Sequence, residues 1–285
     1  MNCIVCGNDS FKLFAENSNL SLPVFLCKIC GLYVTGDSEN IVKEKLHLLY
    51  KGEYWKEDEI KRYVDSDYTD VDSVSKKRQW VSQYEYCKSH LKDKADLLEI
   101  GVGGGQATFL FDKKGFNVTG IEPDSKNVEL INQKLTHGKC FVGFIEDFEI
   151  KKKFDVIWMS HVFEHLVRPD LLLEKLQRGL NDDGVIFIEV PNCENQIIRD
   201  LSIDKNPSTY HFSKKSLIKI CQNAGYEIIS CDCFRSPTIF EGAINKVVSY
   251  LTGKNYFKFY PKLIANGKNG TDVRIILRLD SSMKC

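Results

Sequence analysis

The sequence predicts an α/β protein built around a mostly parallel sheet, with a small cysteine-rich unit in front of it. Three observations carry this reading. Residues 95–280 alternate short apolar runs with amphipathic stretches, the pattern of repeated βα units. Leu97-Leu98-Glu99-Ile100 runs directly into Gly101-Val102-Gly103-Gly104-Gly105, a strand entering a glycine turn before a helix. Residues 1–36 differ from the rest: they are strand-like and punctuated by paired cysteines.

Taken in order, the strands are expected at Ala95–Ile100, Asn117–Glu122, Lys139–Val142, Phe154–Ser160, Val185–Val190 (ended by Pro191), Tyr226–Phe234 and Asp272–Leu279. Helices are expected at Gln106–Lys114, from Ser125 to about Leu135, and at Asp170–Leu180, where Pro169 suits the first position because no N–H is needed there. Ser213 can cap a further helix that stops at Gly225. Between the last two strands, Thr238–Gly270 reads as a helical insertion from the spacing of Ile244, Val247, Val248 and Leu251. Ahead of the α/β region, residues 37–92 are polar and Tyr-rich, with a helical run from Asp72 to Leu91. The expected organisation is therefore a cysteine unit (1–36), a helical and aromatic lead-in (37–92) and a ligand-binding α/β domain (93–285) with an insertion at about 238–270.

The chain has 285 residues, 43% of them hydrophobic, enough for one sizeable core and a small extra domain. Lys+Arg and Asp+Glu both number 39, and this balance argues against a partner held by phosphate-backbone attraction. No stretch reaches the ~18 apolar residues of a membrane span. Met1-Asn2-Cys3 leads into the first cysteine pair with no apolar leader, so a reducing, cytoplasmic setting is expected. There the 11 cysteines read as metal ligands or buried thiols rather than disulfides.

Cys3-x-x-Cys6-Gly7 and Cys27-x-x-Cys30-Gly31 are two knuckles, each with a glycine that lets the backbone curl and turn its N–H groups toward sulfur. Together they offer four thiolates for a tetrahedral zinc ion, making residues 1–36 a zinc ribbon. The competing reading is four unrelated buried thiols. A site closed by four cysteines would be structural, supplying stability that so short a segment cannot draw from a core of its own. Cys231-x-Cys233 lies on one face of an expected strand and reads as packing.

The glycine turn departs from the dinucleotide pattern G-x-G-x-x-G, because Gln106 stands where the third glycine would be. Instead the order is Glu99-x-Gly101-x-Gly103-x-Gly105. A carboxylate just before the turn would repel a pyrophosphate and suit a cation such as an α-amino group. Glu122 ends the next strand, where a carboxylate can accept hydrogen bonds from both hydroxyls of a ribose. These features describe a ligand that is nucleoside-like, cationic and free of phosphate.

Leu98–Gly105, then Gly120-Ile121-Glu122-Pro123, then Phe154–Leu166 with His161-Val162-Phe163-Glu164-His165, resemble successive motifs of class I S-adenosylmethionine-dependent methyltransferases. The resemblance covers about residues 75–280. It implies a Rossmann-like, seven-stranded, mostly parallel sheet with a reversed last strand. It also implies that Glu99, Gly101, Gly103 and Gly105 surround the methionine part, that Glu122 and Pro123 meet the ribose, and that Ser160 and His161 line the sulfonium. Relatives often carry an aspartate after the position of Gly143 for the adenine amino group. Phe144 stands there in this chain, which leaves the backbone of Ile145 and Glu146 to hold adenine.

Methyl transfer to a hydroxyl needs orientation and a base. His165, Glu164 and His161 follow the fourth strand and are the catalytic candidates, with His165 first because a histidine beside a carboxylate suits proton removal. Bracing of the cofactor loop is the alternative for the same residues. Tyr210-His211-Phe212 reads either as a gate to the acceptor pocket or as packing at a helix entry. Tyr50-Lys51-Gly52-Glu53-Tyr54-Trp55 and Tyr68 read either as a cover over the cofactor or as packing between domains.

A four-cysteine unit before such a domain is similar to methyltransferases of nucleotide-linked sugars and glycans, and to a group of ribosomal RNA guanine methyltransferases. The Glu164-His165 pair, the aromatic lead-in and the neutral charge favour the sugar class, and the RNA class would want a basic cysteine unit where residues 1–36 hold only Lys12 and Lys28 as bases. The large C-terminal domain usual in sugar C-methyltransferases is not expected here, so O-methylation of a sugar or other small hydroxyl is favoured. A zinc-bearing scaffold without activity is the third reading, opposed by Glu99, the glycines and Glu122.

Overall fold

The computed structural model describes residues 1–50 and 79–281. In chain order it opens with β1 (Phe11–Ala15), β2 (Val24–Cys27), β3 (Tyr33–Thr35) and α1 (Glu39–Tyr50), and resumes with α2 (Gln79–Cys87). Then follow β4 (Asp96–Ile100), α3 (Gln106–Lys113), β5 (Asn117–Glu122), α4 (Ser125–Asn132), β6 (Gly138–Val142) and β7 (Phe154–Ser160). The remainder is α5 (Pro169–Gly179), β8 (Leu180–Pro191), α6 (Gln196–Lys205), β9 (Tyr210–His211), α7 (Lys214–Asn223), β10 (Tyr226–Arg235), α8 (Ile239–Thr252), β11 (Leu263–Ala265) and β12 (Asp272–Leu279). Of the expected helical run Asp72–Leu91, only the part from Gln79 lies within the described residues. Lys51–Trp55 and Tyr68 of the aromatic lead-in lie outside them.

The central sheet has the order β11-β10-β12-β8-β7-β4-β5-β6. From β6 to β8 all neighbours are parallel. β12 inserts antiparallel between β8 and β10, the reversed last strand that was expected. The eighth strand, β11, pairs with β10 at the edge and lies inside the insertion that sequence periodicity assigned wholly to helix. Three residues are too few to show alternation, so β11 leaves no period to read.

Both faces of the parallel strands are covered, as parallel sheets require. Alternation along β7 divides them: Val156 and Trp158 join Leu97, Phe111 and Phe187 on one side, while Ile157 and Met159 meet Leu98, Leu173 and Leu176 on the other. The helix starts follow the cap residues. Asp124 accepts from the backbone of Lys126 and Asn127, and Ser213 forms a capping box with Ser216.

A second sheet, β1-β2-β3-β9, joins the N-terminal strands to a two-residue strand from beyond the middle of the chain. Tyr33 pairs with His211 and Val34 with Tyr210. Cys3, Val5, Cys27, Leu32 and Val34 pack into the same core as Tyr210, Phe212 and Leu217. Tyr210-His211-Phe212 is thus wholly buried and forms a seam between the two sheets, the packing alternative of the two read from sequence. Among the described residues no helix is long and apolar enough to cross a membrane.

Candidate active site and cysteine cluster

The first chemical feature is the cysteine quartet. Sγ of Cys3 lies 3.4 Å from that of Cys30, and Sγ of Cys6 lies 3.6 Å from that of Cys27. All four sulfurs fall within 4.8 Å of one another. Four sulfurs each about 2.3 Å from one zinc would stand roughly 3.8 Å apart, so the quartet has the size of a tetrahedral site. Gly7 and Gly31 take positive φ, and their N–H groups close the turns on the carbonyls of Cys3 and Cys27 at 2.8 and 3.0 Å. Burial pushes the Cys3 thiol up to about 11, against N–H groups of Cys6 and Val5 that favour the thiolate. A cation at the centre would reverse that balance. Among the described residues no other cluster of this kind occurs.

The second feature is a cavity of about 500 Å³ at the carboxyl ends of β4, β5 and β7, bordered by α1 and α2. Glu99, Gly101, Gly103, Glu122, Pro123, Ile145, Glu146, Ser160, His161 and His165 all line it. Two other expected residues stand back from the cavity. Gly105 begins α3 with φ of +82°, and a Cβ there would meet Phe109 at 2.8 Å and Ile131 at 3.0 Å, so it serves close packing. Glu164 is buried behind the two histidines.

Gly101 has φ of +73°, and a Cβ there would come within 2.3 Å of Val162. The first turn therefore needs glycine both for conformation and for the approach of the loop after β7. Glu122 accepts from Gly103 N–H at 2.8 Å and from Asp124 N–H at 3.2 Å. Glu99 accepts from the Thr108 hydroxyl. Burial raises the Glu122 carboxyl to about 7 and the Glu99 carboxyl to about 8. Two buried acids that resist ionisation on one wall form a site that a cation would complete. Next to Glu122, Lys175 donates to the carbonyls of Ile145 and Glu146 at 2.8 and 3.1 Å, fixing the loop after β6.

His161 has a left-handed backbone, φ of +55°, uncommon for a non-glycine residue. Its N–H is held by the Glu189 carbonyl at 2.9 Å. Nδ1 lies 3.6 Å from Glu164 Oε1, and Nε2 lies 3.1 Å from Glu189 Oε1. Burial opposes its charge, but hydrogen bonds to Glu164 and Glu189 outweigh that and raise its pKa well above the ordinary value. An imidazolium so held is a poor base. His165 differs: Nδ1 donates to the Pro207 carbonyl at 3.0 Å, and Nε2 lies 3.7 Å from Glu164 Oε1. Glu164 Oε2 is buried with no hydrogen-bond partner among the described residues.

Sequence reading missed the support beneath this wall. Glu189, 0% exposed, accepts from Gln79 and Gln83 at 2.6 Å each, and its second oxygen pairs with the equally buried Arg274. Arg274 also donates to Ser82 at 2.8 Å and lies over the Phe234 ring. Gln83 reaches Ser160 as well, at 2.8 Å. A partial signal existed: one acid in the apolar run Val185–Val190 and two arginines in Val273–Leu279, Arg274 and Arg278, offer opposite charges that neither strand could bury alone. His47, stacked on Phe144 at 4.0 Å between centroids, gave no such signal.

These features are those of the class I S-adenosylmethionine-dependent methyltransferase fold. The methyltransferase-domain family matches residues 75–231, more than half of the chain, and the chain belongs to that family. Among curated relatives, it is similar to (S)-coclaurine N-methyltransferase of Papaver somniferum, 30% identical over 110 residues, covering 36% of this chain and 31% of that protein. It is also similar to the ubiquinone biosynthesis O-methyltransferase of Rickettsia bellii, 30% identical over 114 residues, covering 38% of this chain and 48% of that one. The chain thus spans less than half the length of these relatives. Among solved structures, coclaurine N-methyltransferase bound to N-methylheliamine and SAH aligns over 84% of this chain and 86% of its own, with TM-score 0.56 and 14% identity. An S-adenosylmethionine-dependent methyltransferase of Thermotoga maritima aligns over 82% of this chain and 99% of its own, with TM-score 0.54 and 18% identity. At these identities the structures speak for the fold.

Proposed function

We propose that this chain binds S-adenosylmethionine in the cavity at the carboxyl ends of β4, β5 and β7 and transfers its methyl group to a small molecule, a hydroxyl of a nucleotide-linked sugar or glycan precursor. The observation that carries the cofactor reading is the pair of buried acids, Glu99 and Glu122, on the wall formed by the glycine turn. They suit a cationic nucleoside and disfavour a phosphate. In this reading Glu122, with Pro123 beside it, takes the ribose hydroxyls. Glu99, Gly101 and Gly103 surround the amino-acid part. Ile145 and Glu146 present backbone to adenine, with Lys175 occupying their carbonyls. Ser160 and His161 border the sulfonium. The bound cofactor supplies an activated methyl group, open to in-line displacement by the acceptor.

The chain's own contribution is orientation and proton removal. His165 is the base: it lines the cavity, and with Nδ1 committed to the Pro207 carbonyl, Nε2 is the nitrogen left to take a proton. Glu164 lies between both histidines and would stabilise the imidazolium that forms. His161 already holds its proton and acts as a fixed positive group. The relatives' names, an N-methyltransferase of an alkaloid and an O-methyltransferase of quinone biosynthesis, support a small-molecule acceptor. Cys3, Cys6, Cys27 and Cys30 would hold a structural zinc ion. Residues 1–36 then form the zinc unit, 37–92 the lead-in, and 93–285 the catalytic domain with its insertion at about 238–270.

Calorimetry tests the cofactor reading. S-adenosylmethionine should bind, and Glu122→Ala should weaken it by roughly 1.5–3 kcal/mol, the range for hydrogen bonds to a charged group. Tight binding of NADH with no binding of S-adenosylmethionine would overturn it. A methyl-transfer screen over nucleotide sugars, with RNA as a parallel substrate, tests the acceptor.

A further inference from the structure

The insertion between β10 and β12 is not used by the proposed chemistry, and its helix is inside out. On α8 the exposed residues are Ile239 (95%), Phe240 (74%), Val247 (59%), Tyr250 (89%) and Leu251 (73%). At 100° per residue they fall within one arc of about 120°, so they form a single apolar face turned outward. The one buried residue of the helix is polar, Asn245. Its amide donates to Asn255 at 3.1 Å and accepts from the backbone of Tyr256 at 3.0 Å, pinning the following loop under the helix. Tyr256 and Ile264 add further exposed apolar surface nearby in sequence. The helix is well built in other respects. Thr238 and Glu241 form a capping box, and Gly253 ends it in a left-handed turn.

Charge decides what covers this face. Residues 242–271 contain five lysines and no acidic residue, in a chain whose formal net charge is zero. The nearest acid, Glu241, is neutralised by Arg235 through two contacts of 2.8 Å. Lys262 is paired with Asp272. Lys246, Lys254, Lys258 and Lys268 are exposed and make no ion pair among the described residues. Lys246 falls on the edge of the apolar arc. In a two-fold contact between copies the face would meet itself, setting lysine against lysine with no acid to offset them. Nucleic acid would use the lysines and the aromatic rings but leave Ile239, Val247 and Leu251 without a partner. An apolar stripe of aliphatic and aromatic residues with lysine beside it suits the boundary between acyl chains and anionic headgroups.

We propose that the outward face of α8 docks the protein peripherally on an anionic lipid bilayer, Ile239, Phe240, Val247, Tyr250 and Leu251 entering the acyl boundary while Lys246, Lys254 and Lys258 meet the headgroups. The inference stands on the exposed face and its charge, independent of the acceptor. Flotation of the full chain with vesicles tests it. Binding is expected to vesicles of equal parts phosphatidylcholine and phosphatidylglycerol and to be much weaker with phosphatidylcholine alone. Lys246→Glu with Lys254→Glu should reduce partitioning by at least about tenfold, from the attraction each surface lysine contributes. Tyr250→Ser with Leu251→Ser should reduce it comparably while the circular dichroism spectrum and melting temperature stay unchanged, since both side chains are exposed. Absence of binding to anionic vesicles would overturn the proposal. So would equal binding to neutral vesicles, a dimer dispersed by the Tyr250/Leu251 variant without vesicle binding, or RNA binding lost in the lysine variant without vesicle binding.

Discussion

Replacing Arg274 with methionine would remove the partner of a carboxylate that has no access to water. Glu189 and Arg274 are both fully buried, in β8 and β12, which pair side by side at this position. Breaking a buried pair by deleting one partner costs about 3–5 kcal/mol. Here Gln79, Gln83 and His161 still contact the orphaned carboxylate, so the lower part of that range, about 3 kcal/mol, is expected at pH 7. The pH dependence fixes the cause. Burial alone would raise the Glu189 pKa, but Arg274 and His161 more than offset it and hold the group well below the usual carboxylate range. In the native protein this pair therefore contributes stability above the unfolded carboxylate pKa, lost as pH falls through the lower folded value. In Arg274→Met the carboxyl should instead take up a proton, so the deficit should shrink as pH falls from 7 toward 5. Urea unfolding at pH 5 and 7 measures both terms. A deficit below about 1 kcal/mol, or one that grows on acidification, would refute the argument.

Three further outcomes are expected. Glu99 and Glu122 titrate near 8 and 7 because they are buried, and a cation favours their ionised forms, so affinity for S-adenosylmethionine should rise from pH 6 to 8 and level off above that. Glu99→Gln should flatten that rise, and calorimetry across the range decides it. His165→Ala should lower kcat by about 10²–10⁴-fold with cofactor affinity nearly constant. A parallel loss of affinity would make His165 a brace for the loop instead. Cys27→Ser should reduce bound zinc below one per chain and speed proteolysis of the first 36 residues. Metal analysis showing full retention would count against the quartet.

Much of the fold was legible in the sequence because the parallel strands are buried on both faces. Runs such as Phe154–Ser160 and Val185–Val190 have no other use in a chain of this composition. The glycine turn was readable for a related reason: Gly101 and Gly103 occupy conformations that few other residues take. Long-range partners were not readable. Nothing local in Gln79 or Gln83 says that they hydrogen-bond Glu189 more than a hundred residues away. The bond from His165 Nδ1 to the Pro207 carbonyl, which sets its tautomer, depends equally on tertiary placement. The insertion misled in a different way. Its apolar spacing did mark a helix, but Val247 and Leu251 face outward, and periodicity alone does not say on which side the rest of the protein lies.

The four-stranded sheet has a consequence for the order in which the chain is made. Thr35 and His211 hydrogen-bond across 176 residues of sequence. At about 5–20 residues per second, a ribosome would need roughly 9–35 s between delivering β3 and delivering the strand that completes its sheet. During that interval β3 has an open edge, and Leu32 and Val34 lack the Tyr210 and Phe212 side of their core. The four clustered cysteines, all within the first 30 residues, emerge at once. A metal ion captured there would hold the nascent strands in register until their distant partner arrived, acting first as an assembly clamp and only later as part of a finished core.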